Sequence, residues 1–472
     1  MSDSATPASI RRAAVFAAGH LGELTGQIPV ELVDAVLAET RTTERRLRAL
    51  PSRVGMYFVL ALCLFPGLGY RKVWAKLTAT VRGRKTPSDK ALRDLRRRLG
   101  AAPMRALFEV LAGPVAAPRT PGVRFGRYRT VAFDGCVSFK VPDTDRNRSW
   151  LGKLKASLGV TGYPVIKLMT VVETGTRALL GAVFGPPATS EIEYARRLLP
   201  QLGTDMLVLL DRGFDAEAFL AELAGTGARF LARLRNNRRL PVLARLDDGS
   251  QLSRIGALPV RIITADITVT CADGTRYSAT YRLATTLCDP RHYPARRLIA
   301  LYHERWEHEI AYLALRHTLT DGRVLRSADP AGLEQELWAL LTVYQAIRRA
   351  MVSAIESRPG TDPDRASFTT ALETAKDLLV NATHAIEDTD LVGRIGHAVL
   401  DDLLPPRRPR TSVRKVKSPL SRYNNERPLP ARTQHTDHRR GRHQPRPRTE
   451  RHDTPIEMLD HSPRALTTRH WA

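Results

Sequence analysis

Apolar residues recur at helical spacing through the first quarter of the chain. From Leu24-Thr25 to Glu39, Leu32, Val33, Val36 and Leu37 line one side and Pro29 stands near the start, which predicts an amphipathic helix. Val54 to Phe65 is an unbroken apolar run stopped by Pro66-Gly67 and predicts a buried helix; its 12 residues are too few to cross a bilayer. After Arg84-Lys85-Thr86-Pro87-Ser88, a capping-type sequence, a basic helix is expected from Lys90 to Leu99, with Arg93, Arg96, Arg97 and Arg98 exposed. That pattern suits a short DNA-contacting helix-turn-helix and, equally, a solvated charged helix. Residues 115–125, rich in Pro, Gly and Arg, predict a linker.

The period then changes. Tyr128–Phe133, Val165–Val172, Ala178–Phe184 and Met206–Leu210 read as short strands between Gly/Pro turns, with helices over Ile192–Leu199 and Ala216–Leu223 on either side of the fourth. This predicts a mixed α/β domain. Residues 233–295 read as β-rich, with Asp248-Gly249 and Asp273-Gly274 as hairpin turns and Val260–Thr270 paired to Arg276–Leu287. Helical pattern returns near Arg297 and continues over Glu334–Ser357, Ser367–Leu379 and Ile386–Leu404. From Pro405 the chain is rich in Pro, Arg, His and Thr without apolar periodicity, a composition expected to be disordered. The expected division is 1–120 helical, 121–232 α/β, 233–295 β-rich insertion, 296–404 the second part of the α/β domain with C-terminal helices, and 405–472 a basic tail.

Charge adds a partner to this picture. The 472 residues carry 73 Lys/Arg against 48 Asp/Glu, a formal charge of +25. The segment after residue 406 holds 17 Lys/Arg and 6 Asp/Glu, so it accounts for less than half of the excess. The folded part is basic in its own right, which points to a polyanionic partner such as nucleic acid. Four scattered cysteines without a C-x-x-C pair argue against structural zinc and against a disulfide-stapled secreted fold. With neither a signal-peptide pattern nor a membrane span in view, a cytoplasmic, nucleoid-associated protein is expected.

Three acids stand out. Asp134 follows the apolar strand 128–133 and precedes Gly135; Asp211 follows Leu207–Leu210 and precedes Arg212-Gly213. An acid ending a strand before glycine falls at the carboxyl edge of a sheet, where α/β sites gather, although such residues also merely cap turns. Tyr302, Arg305, Glu309, Tyr312 and Arg316 are spaced 3, 4, 3 and 4 apart, one face of a helix. A stripe of Tyr, Arg and Glu can be a surface salt-bridge ladder or a metal-binding carboxylate among phosphate-gripping arginines. Two aspartates and a glutamate suit Mg²⁺, which prefers oxygen ligands, and two such ions can clamp both oxygens of a phosphodiester displacement. His303 and His308 are five apart and face different ways on a helix, which argues against zinc.

With these motifs in order, the chain resembles the bacterial DDE transposases of the insertion-sequence-four family. Their signature Y-x2-R-x3-E-x6-K reads here Tyr302, Arg305, Glu309 and Arg316, with Arg where the family has Lys. Phe133-Asp134-Gly135 with Val141–Thr144 and Asn147, Thr161–Pro164 with Ala182–Gly185, Leu210–Phe214 and the N-terminal Gly19–Thr25 resemble further family blocks, over about residues 15–420. The resemblance implies a ribonuclease-H-like catalytic domain interrupted by a β-rich insertion, with a helical N-terminal domain. It also implies that Asp134, Asp211 and Glu309 are the catalytic carboxylates, holding two Mg²⁺ ions with Mn²⁺ as a substitute. Tyr302, Arg305 and Arg316 would contact DNA phosphates; Trp306 would stack on a flipped base or serve as a core residue. The implied activity is cut-and-paste transposition of double-stranded DNA by a homodimer that pairs the element's ends. A structure-selective nuclease of the same fold and a decayed, non-catalytic DNA-binding protein are the competing readings.

Overall fold

The computed structural model describes residues 21–44, 46, 48–79, 86–153, 155–156, 159–160, 162–270, 276–381, 392–405, 413–415 and 435–437. The N-terminal pattern folds as five helices: α1 (Val30–Glu39), α2 (Ser52–Leu64), α3 (Tyr70–Leu77), α4 (Asp89–Leu99) and α5 (Ala102–Leu111). Pro29 is the N-cap of α1, and the apolar run becomes α2, buried along nearly its whole length. In α4, Ser88 caps the start by accepting the Ala91 amide at 3.2 Å. The helices α3 and α5 were not expected from the pattern. Just ahead of α1, Gly22 adopts φ +56° and a Cβ there would lie 2.8 Å from the Leu378 backbone, so only glycine fits that close approach.

One expectation for α4 is overturned. Arg93, Arg97 and Arg98 are exposed, but Arg96 is buried. Its guanidinium donates to Gln335 Oε1 at 3.0 Å, to Ser327 Oγ at 3.1 Å and to the Tyr70 hydroxyl at 2.5 Å. Helical phase turns it inward beside Leu92, Leu95 and Leu99, and a cation buried there needs these acceptors.

The centre is a ten-stranded sheet. Its main strands are β1 (Tyr128–Lys140), β2 (Val165–Glu173), β3 (Leu179–Gly185), β4 (Met206–Leu210), β5 (Arg229–Arg233), β6 (Gln251–Ile255), β7 (Leu258–Thr270) and β8 (Arg276–Thr285). Across the sheet the order is β3-β2-β1-β4-β5-β8-β7-β6, with two-residue strands Ala244–Arg245 at the far edge and Arg124–Phe125 beside β1. The first three strands are antiparallel, while β4 and β5 run parallel to β1. The β-rich stretch 233–295 therefore joins the same sheet, through β8 pairing antiparallel with β5. β7 pairs with β8 antiparallel as expected; the Asp273-Gly274 turn between them lies outside the described residues.

Helices cover both faces. On β1, Val131 and Phe133 pack beneath α7 (Glu191–Arg196) and α8 (Glu217–Gly225), whereas Ala132 and Cys136 face the other way. That second face carries α9 (Ala295–Tyr302) and α10 (Glu307–Leu313). Behind them runs α11 (Pro330–Glu356), a 27-residue helix whose buried side chains join the sheet to α2 and α5, and α12 (Phe368–Val380) and α13 (Gly393–Asp401) pack beside it. A short helix, α6 (Asp145–Leu151), follows β1, and its buried Asn147 donates to the carbonyls of Pro142 and Ser327, tying β1 to the start of α11. In the expected disordered tail, Val413–Lys415 and His435–Asp437 pair as short strands, and the remainder, including the possible phosphate-tracking stretch 407–422, lies outside the described residues. No helix among the described residues is long and apolar enough to cross a membrane.

Replacing Arg96 by Ala removes a buried cation shared by α3, α4 and α11, and is expected to destabilise the fold by roughly 3 kcal/mol. The exposed neighbour change Arg97→Ala should stay within about 0.5 kcal/mol. Chemical denaturation of the two variants checks the difference.

Candidate active site

Strand register brings the two aspartates together. Parallel pairing of β1 with β4 ends at Ala132 opposite Leu209, and the same offset sets Asp134 level with Asp211. Alternation puts both acids on the face that carries α9 and α10. The geometry differs from expectation in one respect: Asp134 does not end its strand. β1 continues to Lys140 against β2, with a register shift between Val137 and Phe139; it is β4 that stops, at Leu210. Asp134 thus flanks the gap beyond a shorter neighbour. Each aspartate takes a local amide, Gly135 N to Asp134 Oδ1 at 2.8 Å and Gly213 N to Asp211 Oδ1 at 2.7 Å.

Glu309 arrives on α10. The segment bearing the Tyr-Arg-Glu-Tyr-Arg stripe is not one regular helix. It runs from α9 into a 3₁₀ turn over His303–Trp306, then α10, then a π-helical turn over Ala314–Leu319. The tight turn and the wide turn break the single face that a 3.6-residue period implies, and π-turns of this kind gather at functional sites. Tyr302 and Tyr312 are accordingly buried, while Arg305, Glu309 and Arg316 are half-buried. The Tyr302 hydroxyl donates to the Leu210 carbonyl at 3.2 Å, the last residue of β4 before Asp211. The Tyr312 hydroxyl donates to the Asp134 carbonyl at 2.7 Å. Arg316 approaches Cys136 Sγ at 3.7 Å, two residues beyond Asp134. The side chain of Trp306 lies outside the described residues.

Electrostatics couples these groups. Burial pushes the Asp134 carboxyl up to about 7; Arg305 opposes the shift, and the charges of Asp211 and Glu309 add to it. Burial disfavours the charge on Arg305, yet Tyr302, Asp134, Asp211 and Glu309 together hold its pKa above the ordinary value. A carboxyl that is hard to ionise beside two more acids fits a position awaiting a divalent cation, which would relieve desolvation and repulsion together. The oxygen-only donor set suits Mg²⁺ or Mn²⁺.

The pattern gave no role to His308, which is fully buried, with Nε2 2.8 Å from Thr170 Oγ1. Thr170 pairs with Asp134 across β1 and β2, so His308 and Tyr312 anchor α10 to the strand pair behind the acid. Burial and nearby Arg305 drive His308 down to about 3, so it stays neutral. A second acidic group lies behind the helix. Glu304, Glu307 and Asp364 each present an oxygen within 4.8 Å of the others and could hold a divalent ion. Arg177, at the β2–β3 turn with φ +61°, already donates to Glu307 at 2.7 Å and to Asp364 at 2.5 Å. With a guanidinium in place, these contacts make a buried ion-pair anchor for α10 rather than a site for further cations.

Residues 18–109 match the model described as insertion element 4 transposase N-terminal, and residues 126–346 match the transposase DDE domain. The chain has the domain architecture of the IS4-family DDE transposases. It is 27% identical over 419 residues to "Transposase InsG for insertion sequence element IS4" of Escherichia coli (strain K12), covering 85% of this chain and 93% of that one. It is 30% identical over 138 residues to "Putative transposase InsZ" of the same organism, covering 29% of this chain and 46% of that one. A cryo-EM structure of the piggyBac transposase synaptic complex with hairpin DNA aligns at 12% identity and a TM-score of 0.37, over 80% of this chain and 83% of the other.

Two predictions follow from the site's charges. Folded protein keeps Asp134 protonated up to about pH 7, whereas an unfolded aspartate ionises near about 4. Between those values the folded state holds the extra proton, so this group's contribution to stability falls as pH rises through that window. In the presence of a chelator, Asp134→Asn should therefore melt above the parent at about pH 8, with the gap closing below about pH 5; scanning fluorimetry reads both. Arg177→Met should destabilise the protein by roughly 3–5 kcal/mol, because it strands buried carboxylates without their cation; urea unfolding measures it.

Proposed function

We propose that this protein is a transposase that cleaves DNA at the ends of an insertion sequence and joins them to target DNA, in a divalent-metal-dependent cut-and-paste reaction. The observation that carries the reading is the level placement of Asp134, on β1, and Asp211, just past the end of its parallel neighbour β4, with Glu309 and Arg305 in electrostatic reach. The strand order, three antiparallel strands followed by two parallel ones, supports a ribonuclease-H-like core. In this reading residues 1–120 serve end binding, 121–232 and 296–404 form the catalytic domain, 233–295 are its insertion, and 405–472 are an accessory basic tail.

Asp134 and Asp211 would hold one Mg²⁺ ion, and Asp134 with Glu309 a second. When bound, the pair supplies charge at both the attacking and the leaving oxygen of an in-line displacement. The chain's own part is positioning and charge, and it needs no protein nucleophile. Arg305 and Arg316 would grip the phosphate on either side of Glu309. Arg316 offers a planar fork where relatives have the point charge of Lys, so it can hold two phosphate oxygens at once. Buried Tyr302 sets the end of β4 beneath the DNA, through the Leu210 carbonyl. Trp306 would stack on an unpaired base at the cleaved end. Two copies of the chain would synapse the two ends on double-stranded DNA.

The test is excision. A donor plasmid carrying the gene with several hundred flanking base pairs is mixed with purified protein and Mg²⁺. Release of a discrete fragment is expected with wild-type protein and not with Glu309→Gln, while both variants retain end binding that weakens steeply with salt. Cleavage at single, unpaired ends would instead indicate a structure-selective nuclease. Binding without any metal-dependent cleavage would leave only a DNA-binding protein. Normal cleavage by Glu309→Gln would sink the assignment of the acids.

A further inference from the structure

The glycine after each aspartate leaves room for a fourth carboxylate. Glu191 is the first residue of α7, following its cap Ser190. Its Oε1 lies 2.9 Å from where a Cβ on Gly135 would stand, with its Cδ and Cγ at 3.1 Å. On the other side its Oε2 lies 3.8 Å from where a Cβ on Gly213 would stand, a point 2.9 Å from Asp211 Oδ1. The Glu191 side chain therefore rests in a cradle formed by the bare backbone of two glycines, Gly135 next to Asp134 and Gly213 two residues after Asp211. Its surroundings differ from those of its neighbour on the same helix turn. Glu193 meets Arg196 and Arg197, whereas no ion pair or hydrogen bond involves the Glu191 carboxylate among the described residues.

We infer that Glu191 is a fourth carboxylate of the divalent-metal site, accepting hydrogen bonds from the water shell of the ion held by Asp134 and Asp211. The inference rests on the metal-dependent reading of the site above. Mg²⁺ keeps several of its waters when bound by carboxylates, and an acceptor that orients them tightens the site without displacing a ligand. Glu191 approaches from α7, on the opposite face of the sheet from α10. Metal binding would thus be felt by helices on both faces. Gly135 acquires a reason beyond turn geometry: a side chain there would push this acid away.

The test titrates Mn²⁺ and Mg²⁺ into the full-length protein by calorimetry. Wild type, Glu191→Gln, Gly135→Ala, Glu193→Gln and Asp134→Asn are compared, with circular dichroism confirming the fold of each. Glu191→Gln should weaken metal binding about tenfold and raise the Mg²⁺ concentration that half-saturates DNA cleavage. Gly135→Ala should reproduce that loss, and adding Gly135→Ala to Glu191→Gln should cost little more, because both remove the same acceptor. Glu193→Gln takes an equal charge from the same helix turn and should leave metal affinity unchanged. If Glu191→Gln binds metal like wild type while Asp134→Asn does not, the inference fails and the three-acid site stands. If wild type itself binds neither ion, both fall.

Discussion

The constraint on which the rest depends is the unequal length of two parallel neighbours. β4 stops at Leu210 while β1 runs on to Lys140. Were both to end together, Asp134 and Asp211 would be two turn residues on a ragged edge. Because only β4 stops, Asp134 remains held by the β1–β2 ladder while Asp211, just beside it, caps the turn that follows β4. Burial makes a charge on Asp134 expensive and its acidic neighbours add to the cost, and the folded chain answers with a proton on Asp134 and with the guanidinium of Arg305. A position that is costly for the protein alone and relieved by a cation is how a functional site departs from the most stable arrangement.

The third acid is placed by anchors that do no chemistry. Tyr302 ties the approach of α9 to the end of β4, and Tyr312 and His308 tie α10 to the strands flanking Asp134. On the reverse side, Arg177 binds Glu307 to Asp364, which links the same helix to the turn before α12. Glu309 is thus fixed from both sides by buried polar contacts, while the 3₁₀ turn before it and the π-turn after it adjust where each side chain emerges. Buried polar contacts specify one geometry more sharply than apolar packing does. The long α11 then connects this site to the N-terminal helices through Arg96 and Gln335, so the helical region and the sheet share one continuous core.

Much of this was legible in the chain. Largely apolar runs located α2, β2 and β4, and periodic patterns located α4 and the β7–β8 pair, each to within a residue or two. The Asp-Gly and Asp-Arg-Gly blocks and the Tyr-Arg-Glu stripe named the acids. Arg96 and Tyr302 show the limit. Arginine on a basic helix is usually exposed, and the family resemblance implies a DNA contact for Tyr302, yet both side chains turn inward because a neighbouring element offers an acceptor at the required place. No local pattern carries that information. The same holds for α3 and β5, each short enough that its apolar positions do not establish a period by themselves.

By itself the sequence determined which residues can do chemistry and in what order along the chain they come, since residue type fixes charge, ligand preference and reach. Tertiary structure alone decided which of them meet. The register of β1 against β4 sets Asp134 beside Asp211, strands that 65 residues of intervening chain separate. The fold likewise decided that Glu191 rests against Gly135, from an element remote in sequence, and that Glu307 is an anchor while Glu309 comes within electrostatic reach of Asp134. Proximity between distant segments follows from how faces pack and ladders align, and these are properties of the whole fold rather than of any window along it.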